Sequence, residues 1–249
     1  MNLSIVKNKD DLKINNVRKS NNENYILPFN PPLPLESHNF FIYIVGRPSS
    51  GKTHLLYALL HQKTPKFYRG LFDKIYMFSP SMETLNNWSI HEDRIFNKLD
   101  YEELDNILKN EYDSAENNNI CLIFDDCIKD LQGIKSRDIS KLLSKMILNR
   151  RHITYNSSNT DKRGSLSVII TSQKYNMLNL EYRTMTTTNI LFKTDNLKEK
   201  NSIYEELFEN RFSRKQYNEI SNFVYDKPHN FMLINDNGIY KNFDEIIIN

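Results

Sequence analysis

Glycine is scarce in this chain, six in 249 residues, and cysteine scarcer still, with only Cys121 and Cys127. Two cysteines placed far from any histidine make no zinc-binding set. They offer no disulfide framework either, which points to a reducing compartment. Long apolar runs are also missing. No uninterrupted stretch approaches the roughly 18 residues that span a bilayer. The opening MNLSIVKNKDDLKINNVRKS lacks the apolar core of a secretory signal. The expectation is a soluble, intracellular protein with no membrane partner. An excess of one charge is absent too: 33 Lys and Arg stand against 31 Asp and Glu, a net +2. Any surface that attracts nucleic acid therefore has to be local. What the chain does have is 14 Phe and 14 Tyr to supply a core. Its length suits one large α/β domain, or one domain with a modest appendage.

Residues 1–38 are Asn-rich and end in LPFNPPLPLES. Its prolines exclude helix and central strand, so 1–38 reads as an arm or linker. From residue 39 onward short apolar runs alternate with amphipathic segments. FFIYIV at 40–45, KIYMFSP at 74–80, NICLIFDD at 119–126, LSVIITSQ at 166–173 and TNILFKT at 188–194 read as strands. Leu55, Leu56, Leu59 and Leu60 share one helical face, as do Leu104, Ile107 and Leu108, and Ile139, Leu142, Leu143, Met146 and Ile147. The remainder, 199–249, reads as an extension with one or two helices and a late strand, NFMLIND. This alternation predicts an α/β sandwich of three layers, a mostly parallel central sheet with helices on both faces. Ligands in such sheets bind beyond the C-terminal strand ends. Gly46–Thr53, Ser79–Ser81, Asp125–Asp126 and Ser172–Gln173 all fall there.

Gly46-Arg47-Pro48-Ser49-Ser50-Gly51-Lys52-Thr53 fits G-x-x-x-x-G-K-[ST], between an apolar strand and an amphipathic helix. The glycines let successive N–H groups face phosphate oxygens that a Cβ would crowd. Lys52 reaches the β- and γ-phosphates, the Thr53 hydroxyl ligates Mg²⁺, and the helix N-terminus adds partial positive charge. Pro48 fixes one φ angle and removes one N–H donor, which stiffens the loop. ICLIFDD supplies the other half: Asp125 to hold Mg²⁺ and Asp126 to act as general base on the attacking water. A second acid points to hydrolysis. The run at 75–79 lies between the phosphate-loop run and the acid-bearing run. That fits the P-loop division that includes motors (ASCE/RecA-like), in which those two strands are not neighbours.

FIYIVGRPSSGKTHLL, CLIFDDC, NRRHITYN, SLSVIITSQKYNMLNLEYRTMTTTNILFKT and KPHNFMLIND together resemble the genome-packaging ATPases of poxviruses, other large DNA viruses and virophages. These belong to the FtsK/HerA superfamily. The resemblance runs from about Phe40 to Asp236. It implies a P-loop ATPase domain over 39–249, with ATP bound by Gly46–Thr53 and His54 next to it, and Mg²⁺ held by Thr53 and Asp125. It assigns catalysis to Asp126 with Lys52, and makes Gln173 the residue that senses the γ-phosphate or orients water. Arg151 and Arg183 match the family's recurrent arginines, either one a candidate finger acting on a neighbouring subunit. Each has a plainer alternative: Arg151 capping the helix at 136–150, Arg183 in an ion pair with Glu181 or another acid.

The resemblance further implies a homo-oligomeric ring around double-stranded DNA, sequence-independent contacts and capsid-protein partners. Its place would be the host cytoplasm at sites of virus assembly, or the virion. Lys162 and Arg163, and the basic arm residues Lys7, Lys9, Lys13, Arg18 and Lys19, are candidates for phosphate contact, with solvated charge as the alternative. Two other functions compete. A nucleotide or nucleoside kinase would need an arginine-rich lid, for which NRRH is the only candidate. A nucleotide-gated assembly scaffold would hydrolyse little.

Overall fold

The structure is a computed structural model that describes residues 3–9, 12, 29–81, 88–113, 118–127, 136–150 and 165–248. Among the described residues ten strands form one sheet. In chain order they are β1 (Leu3–Val6), β2 (Phe41–Val45), β3 (Lys74–Phe78), β4 (Ile95–Phe96), β5 (Asn119–Phe124), β6 (Ser165–Ser172), β7 (Thr188–Phe192), β8 (Phe231–Asn235), β9 (Gly238–Lys241) and β10 (Asp244–Ile248). Among the described residues six α-helices accompany them: α1 (Lys52–His61), α2 (Tyr101–Asp113), α3 (Ser136–Leu148), α4 (Leu180–Arg183), α5 (Leu197–Leu207) and α6 (Arg214–Val224). The strands lie side by side in the order β1-β10-β9-β8-β7-β2-β6-β5-β3-β4. From β7 to β4 every pairing is parallel. From β7 outward to β1 every pairing is antiparallel.

The central parallel strands β2, β5, β6 and β7 are buried on both faces, which is why they read as largely apolar runs. Alternate residues feed two cores. Phe41, Tyr43 and Val45 face α2, α3, α5 and α6, together with Leu122, Phe124, Val168 and Ile170. Phe40, Ile42 and Ile44 face the other way, onto Leu55, Leu56, Leu59 and Leu60 of α1 and the aromatic segment around Phe67, Tyr68 and Phe72. The fold is thus an α/β three-layer sandwich of the P-loop NTPase type, as the alternation predicts. Among the described residues no helix is long and apolar enough to cross a membrane. Both cysteines are buried and neither is in a disulfide.

Three expectations need correction. The strand between the phosphate-loop strand β2 and the acid-bearing strand β5 is β6, which comes later in the chain. The 74–78 strand instead flanks β5 on its outer side. The two key strands are non-adjacent as expected, but a different strand separates them. Secondly, the arm at 1–38 contributes to the fold where it is described. β1 pairs with β10, Leu35 and Leu12 are buried, and Asn235 Nδ2 donates to Pro34 O at 2.9 Å. β1 is a four-residue edge strand, largely exposed, so burial left no hydrophobic pattern to read. Thirdly, the C-terminal extension holds a hairpin, β8–β9, and β10, beyond the one late strand expected.

Candidate nucleotide site

β2 ends at Val45, and its ladder continues one step further, Gly46 N–H donating to Ser172 O at 3.0 Å. The chain then turns sharply. Ser50 N–H donates to Arg47 O at 3.2 Å, and Ser49 has a φ of 63°. Proline at the second position and positive φ at the third define a type II turn. Pro48 therefore sits where its fixed φ is favoured, and its missing N–H lies outside the turn's hydrogen bond. Gly51 follows with a φ of 107°, a conformation open to glycine. It brings no capping side chain to α1, whose first turn holds no acid. The positive end of the helix faces the loop unneutralised.

Gly46 has a different reason to be glycine. A Cβ there would lie 2.4 Å from Ser50 Oγ and 2.8 Å from Phe192 Cβ. The Ser50 and Phe192 side chains close in there, so this glycine makes room for the protein itself. Arg47, Pro48 and Ser49 are exposed, Ser50 half-buried, and Thr53 and His54 exposed at the start of α1. Ser50 Oγ is buried without a hydrogen-bond partner. Lys52 is buried, its Nζ donating to Gly46 O at 2.6 Å and Arg47 O at 3.3 Å. Burial pushes its ammonium below the ordinary value, against the pull of Asp126 and Asp125. A cavity of about 190 Å³ adjoins the loop, walled by Gly46, Arg47, Pro48, Gln173 and Glu199 among others.

Asp125 leaves the end of β5 buried. Thr171 Oγ1 donates to its Oδ1 at 2.7 Å and Ser79 Oγ to its Oδ2 at 3.2 Å. Burial raises its carboxyl pKa, as does Asp126; Thr171, Ser79 and Lys52 act in the opposite sense. Asp126 is half-exposed with a φ of 52°, a left-handed conformation that aspartate tolerates. Its N–H donates to Thr171 Oγ1 at 3.0 Å, and Gln173 Nε2 lies 3.5 Å from its Oδ2. Gln173 itself is exposed at the end of β6. Its corner is fixed from below by Tyr43, whose hydroxyl lies 2.7 Å from Ser172 Oγ and donates to Tyr175 O at 2.9 Å.

The structure thus brings together the loop, Lys52, Asp125, Asp126 and Gln173. It does not bring Arg183 to them. Arg183 Nε and Nη2 donate to the two Glu206 carboxylate oxygens at 2.8 and 2.6 Å, and its Nη1 donates to Leu178 O. Its side chain is 10% exposed. The ion pair weighed as the plainer alternative is formed, with Glu206 rather than Glu181 as the partner. Arg151 lies outside the described residues, as do Lys13, Arg18, Lys19, Lys162 and Arg163. Thr171, Tyr43 and Phe192 were not singled out from sequence. Thr171 is one of four hydroxyl residues in β6, so residue type alone did not pick it out.

Mg²⁺ takes oxygen ligands, few of them from protein and the rest from phosphate and water. One Thr53 hydroxyl and the Asp125 carboxylate, whose oxygens retain lone pairs, suit that demand. Among the described residues no group of three or more His, Cys, Asp or Glu is assembled for a metal, so no all-protein cage competes with such a site.

The phosphate loop on β2 and the acid pair on a strand one removed from it define a P-loop NTPase fold. No protein-family model and no curated protein matches the chain. Solved structures do. The genome packaging NTPase B204 from Sulfolobus turreted icosahedral virus 2, in complex with AMPPCP, superposes with a TM-score of 0.54 at 15% identity, covering 83% of this chain and 97% of that one. The same protein with ATP-gammaS gives 0.52 at 15% identity, with 81% and 95% covered. B204, the DNA-packaging ATPase from Sulfolobus turreted icosahedral virus, gives 0.50 at 13% identity, with 86% and 100% covered. At such identities the shared property is the fold.

Proposed function

We propose that this chain is a Mg²⁺-dependent ATPase that translocates double-stranded DNA, a genome-packaging motor of the FtsK/HerA type. The observation that carries the reading is the shared strand β6. It separates β2 from β5, holds Asp125 and Asp126 through Thr171, and ends in Gln173, which reaches Asp126. This is an arrangement for hydrolysis: an acid, an amide and a buried lysine converge at the end of the phosphate loop. The likeness to packaging NTPases supports the same reading at the level of fold.

In this reading the loop N–H groups and the α1 N-terminus bind the triphosphate, and Lys52 leaves its loop carbonyls to meet phosphate oxygens. Mg²⁺, held by Thr53 and Asp125, neutralises phosphate charge when bound. The Asp126 carboxylate takes a proton from the attacking water, and the Gln173 amide orients that water and Asp126. Thr171 and Ser79 keep Asp125 in place. A homo-oligomeric ring, capsid-protein partners and action at virus assembly sites complete the proposal.

The test is ATP turnover by the purified chain with and without duplex DNA, alongside native mass measurement. The expected result is DNA-stimulated turnover in the parent and an Asp126→Asn variant that folds but loses hydrolysis. Equal rates with and without DNA across several salt concentrations would remove the motor. Phosphoryl transfer to a small acceptor without DNA would replace it with a kinase.

A further inference from the structure

One contact at the phosphate loop comes from far away in the chain. His229, in the connection between α6 and β8, places Nδ1 3.0 Å from Ser50 O, across 179 residues of sequence. A carbonyl only accepts, so Nδ1 carries the proton and donates. The backbone at His229 has a φ of 64°, which costs energy in a residue with a Cβ and persists only where the surroundings enforce it. The surroundings do so. Asn230 Nδ2 donates to Val224 O at 3.1 Å and Asp226 Oδ1 at 2.8 Å, and Asn242 Nδ2 donates to Asn230 Oδ1 at 3.3 Å. Lys241 pairs with Asp226 at 2.8 Å. The antiparallel half of the sheet thus anchors the backbone next to His229, whose exposed imidazole reaches the loop.

The target of that imidazole is the peptide between Ser50 and Gly51. In a trans peptide the carbonyl and the following N–H point in opposite directions. Holding the Ser50 carbonyl towards His229 therefore aims the Gly51 N–H away from the ring. The ring also stands beside Gly51, its Nδ1 3.6 Å from where a Cβ would lie. Gly51 has a glycine's freedom to turn its peptide over, and the hydrogen bond removes that freedom.

We infer that His229 is a positioning residue for phosphate binding: it locks the Ser50–Gly51 peptide so that the Gly51 N–H faces the phosphates. The inference rests on the nucleotide-site reading above. It concerns the polyphosphate and not the base or sugar, because the residue acts through the loop.

The experiment compares the full chain with His229→Gly and His229→Asn, measuring binding of MgATP and of inorganic tripolyphosphate, with KM and kcat for ATP hydrolysis. Glycine accepts the positive φ and removes the donor, so strain and hydrogen bond are separated. Asparagine accepts the φ and restores an N–H donor. His229→Gly weakens both ligands by the same factor, about 5–10-fold for one neutral hydrogen bond. KM rises with kcat within about twofold, melting is little changed, and His229→Asn recovers part of the affinity. A parent chain that binds neither ligand would overturn the nucleotide site itself. If the parent binds and His229→Gly binds equally well, His229 has no positioning role. If ATP weakens and tripolyphosphate does not, His229 acts on the base or ribose and loop positioning is wrong.

Discussion

Thr171 serves two acids at once: its hydroxyl donates to Asp125 Oδ1 at 2.7 Å and accepts the Asp126 N–H at 3.0 Å. Thr171 is fully buried, so water cannot take over either bond. Thr171→Val keeps the shape and removes both partners. The expected cost is about 1–3 kcal/mol of stability for the groups left unpaired. Turnover falls about 10–100-fold, the usual effect of losing a partner that orients a ligating carboxylate. Thr171→Ser keeps most of both. Urea unfolding and steady-state ATP hydrolysis on the three proteins check this. Parent-level turnover in Thr171→Val would show that Asp125 needs no orientation.

Arg183 gives a prediction that separates two roles. The bidentate pair with Glu206 joins α4 to α5, and Tyr175 stacks under the guanidinium at 4.9 Å. Tyr175 also donates to Glu206 Oε2 at 3.0 Å. Removing one partner leaves the other charge partly buried. Arg183→Ala and Glu206→Ala should each destabilise the chain by about 2–4 kcal/mol, with a double-mutant cycle showing strong coupling. A finger would behave differently: Arg183→Ala would melt like the parent, hydrolysis would fail, and Glu206→Ala would be harmless.

His61, the last residue of α1, packs against Tyr57 and Trp88 with ring centroids 4.6 and 5.6 Å away, and its Nε2 has no hydrogen-bond partner. Burial pushes its pKa from 6.5 down to about 4. The unfolded chain therefore binds more protons between those two values. Stability is full above the unfolded pKa and is lost as pH falls towards the folded one, by up to about 3 kcal/mol. Glu111 moves below its ordinary value: burial raises its carboxyl, but hydrogen bonds from Tyr76, Lys74 and Asn118 outweigh burial and lower it. Melting temperature measured from about pH 7 down to about pH 5 should fall for the parent and fall less for His61→Phe. Identical slopes would show that His61 is not the group responsible.

Much of the site was legible because phosphate chemistry is local in sequence. Gly46–Thr53 and Asp125–Asp126 are short runs whose proposed roles follow from residue type and from an apolar strand on one side. The buried parallel strands were legible because both faces need apolar residues. Legibility failed where partners are distant or exposed. Nothing in LSVIITSQ says that its one threonine, Thr171, meets Asp125, since that depends on β6 lying next to β5. Gly46 answers to Phe192, 146 positions later, and His229 to Ser50 across a similar span. β1 and β10 lie at the antiparallel end of the sheet, where four or five residues with mixed exposure leave no pattern.

The insertion of β6 between β2 and β5 also gives the site its gauge. Val45 registers with Ser172, and Phe124 with Ile170, so the spacing of phosphate loop and acid pair is the sum of two strand registers. A single added or deleted residue within β6 would turn Thr171 to the opposite face, since side chains alternate. The same change would displace Gln173 along the sheet edge. Of the strands at the site, β6 is the one whose length is least free to drift.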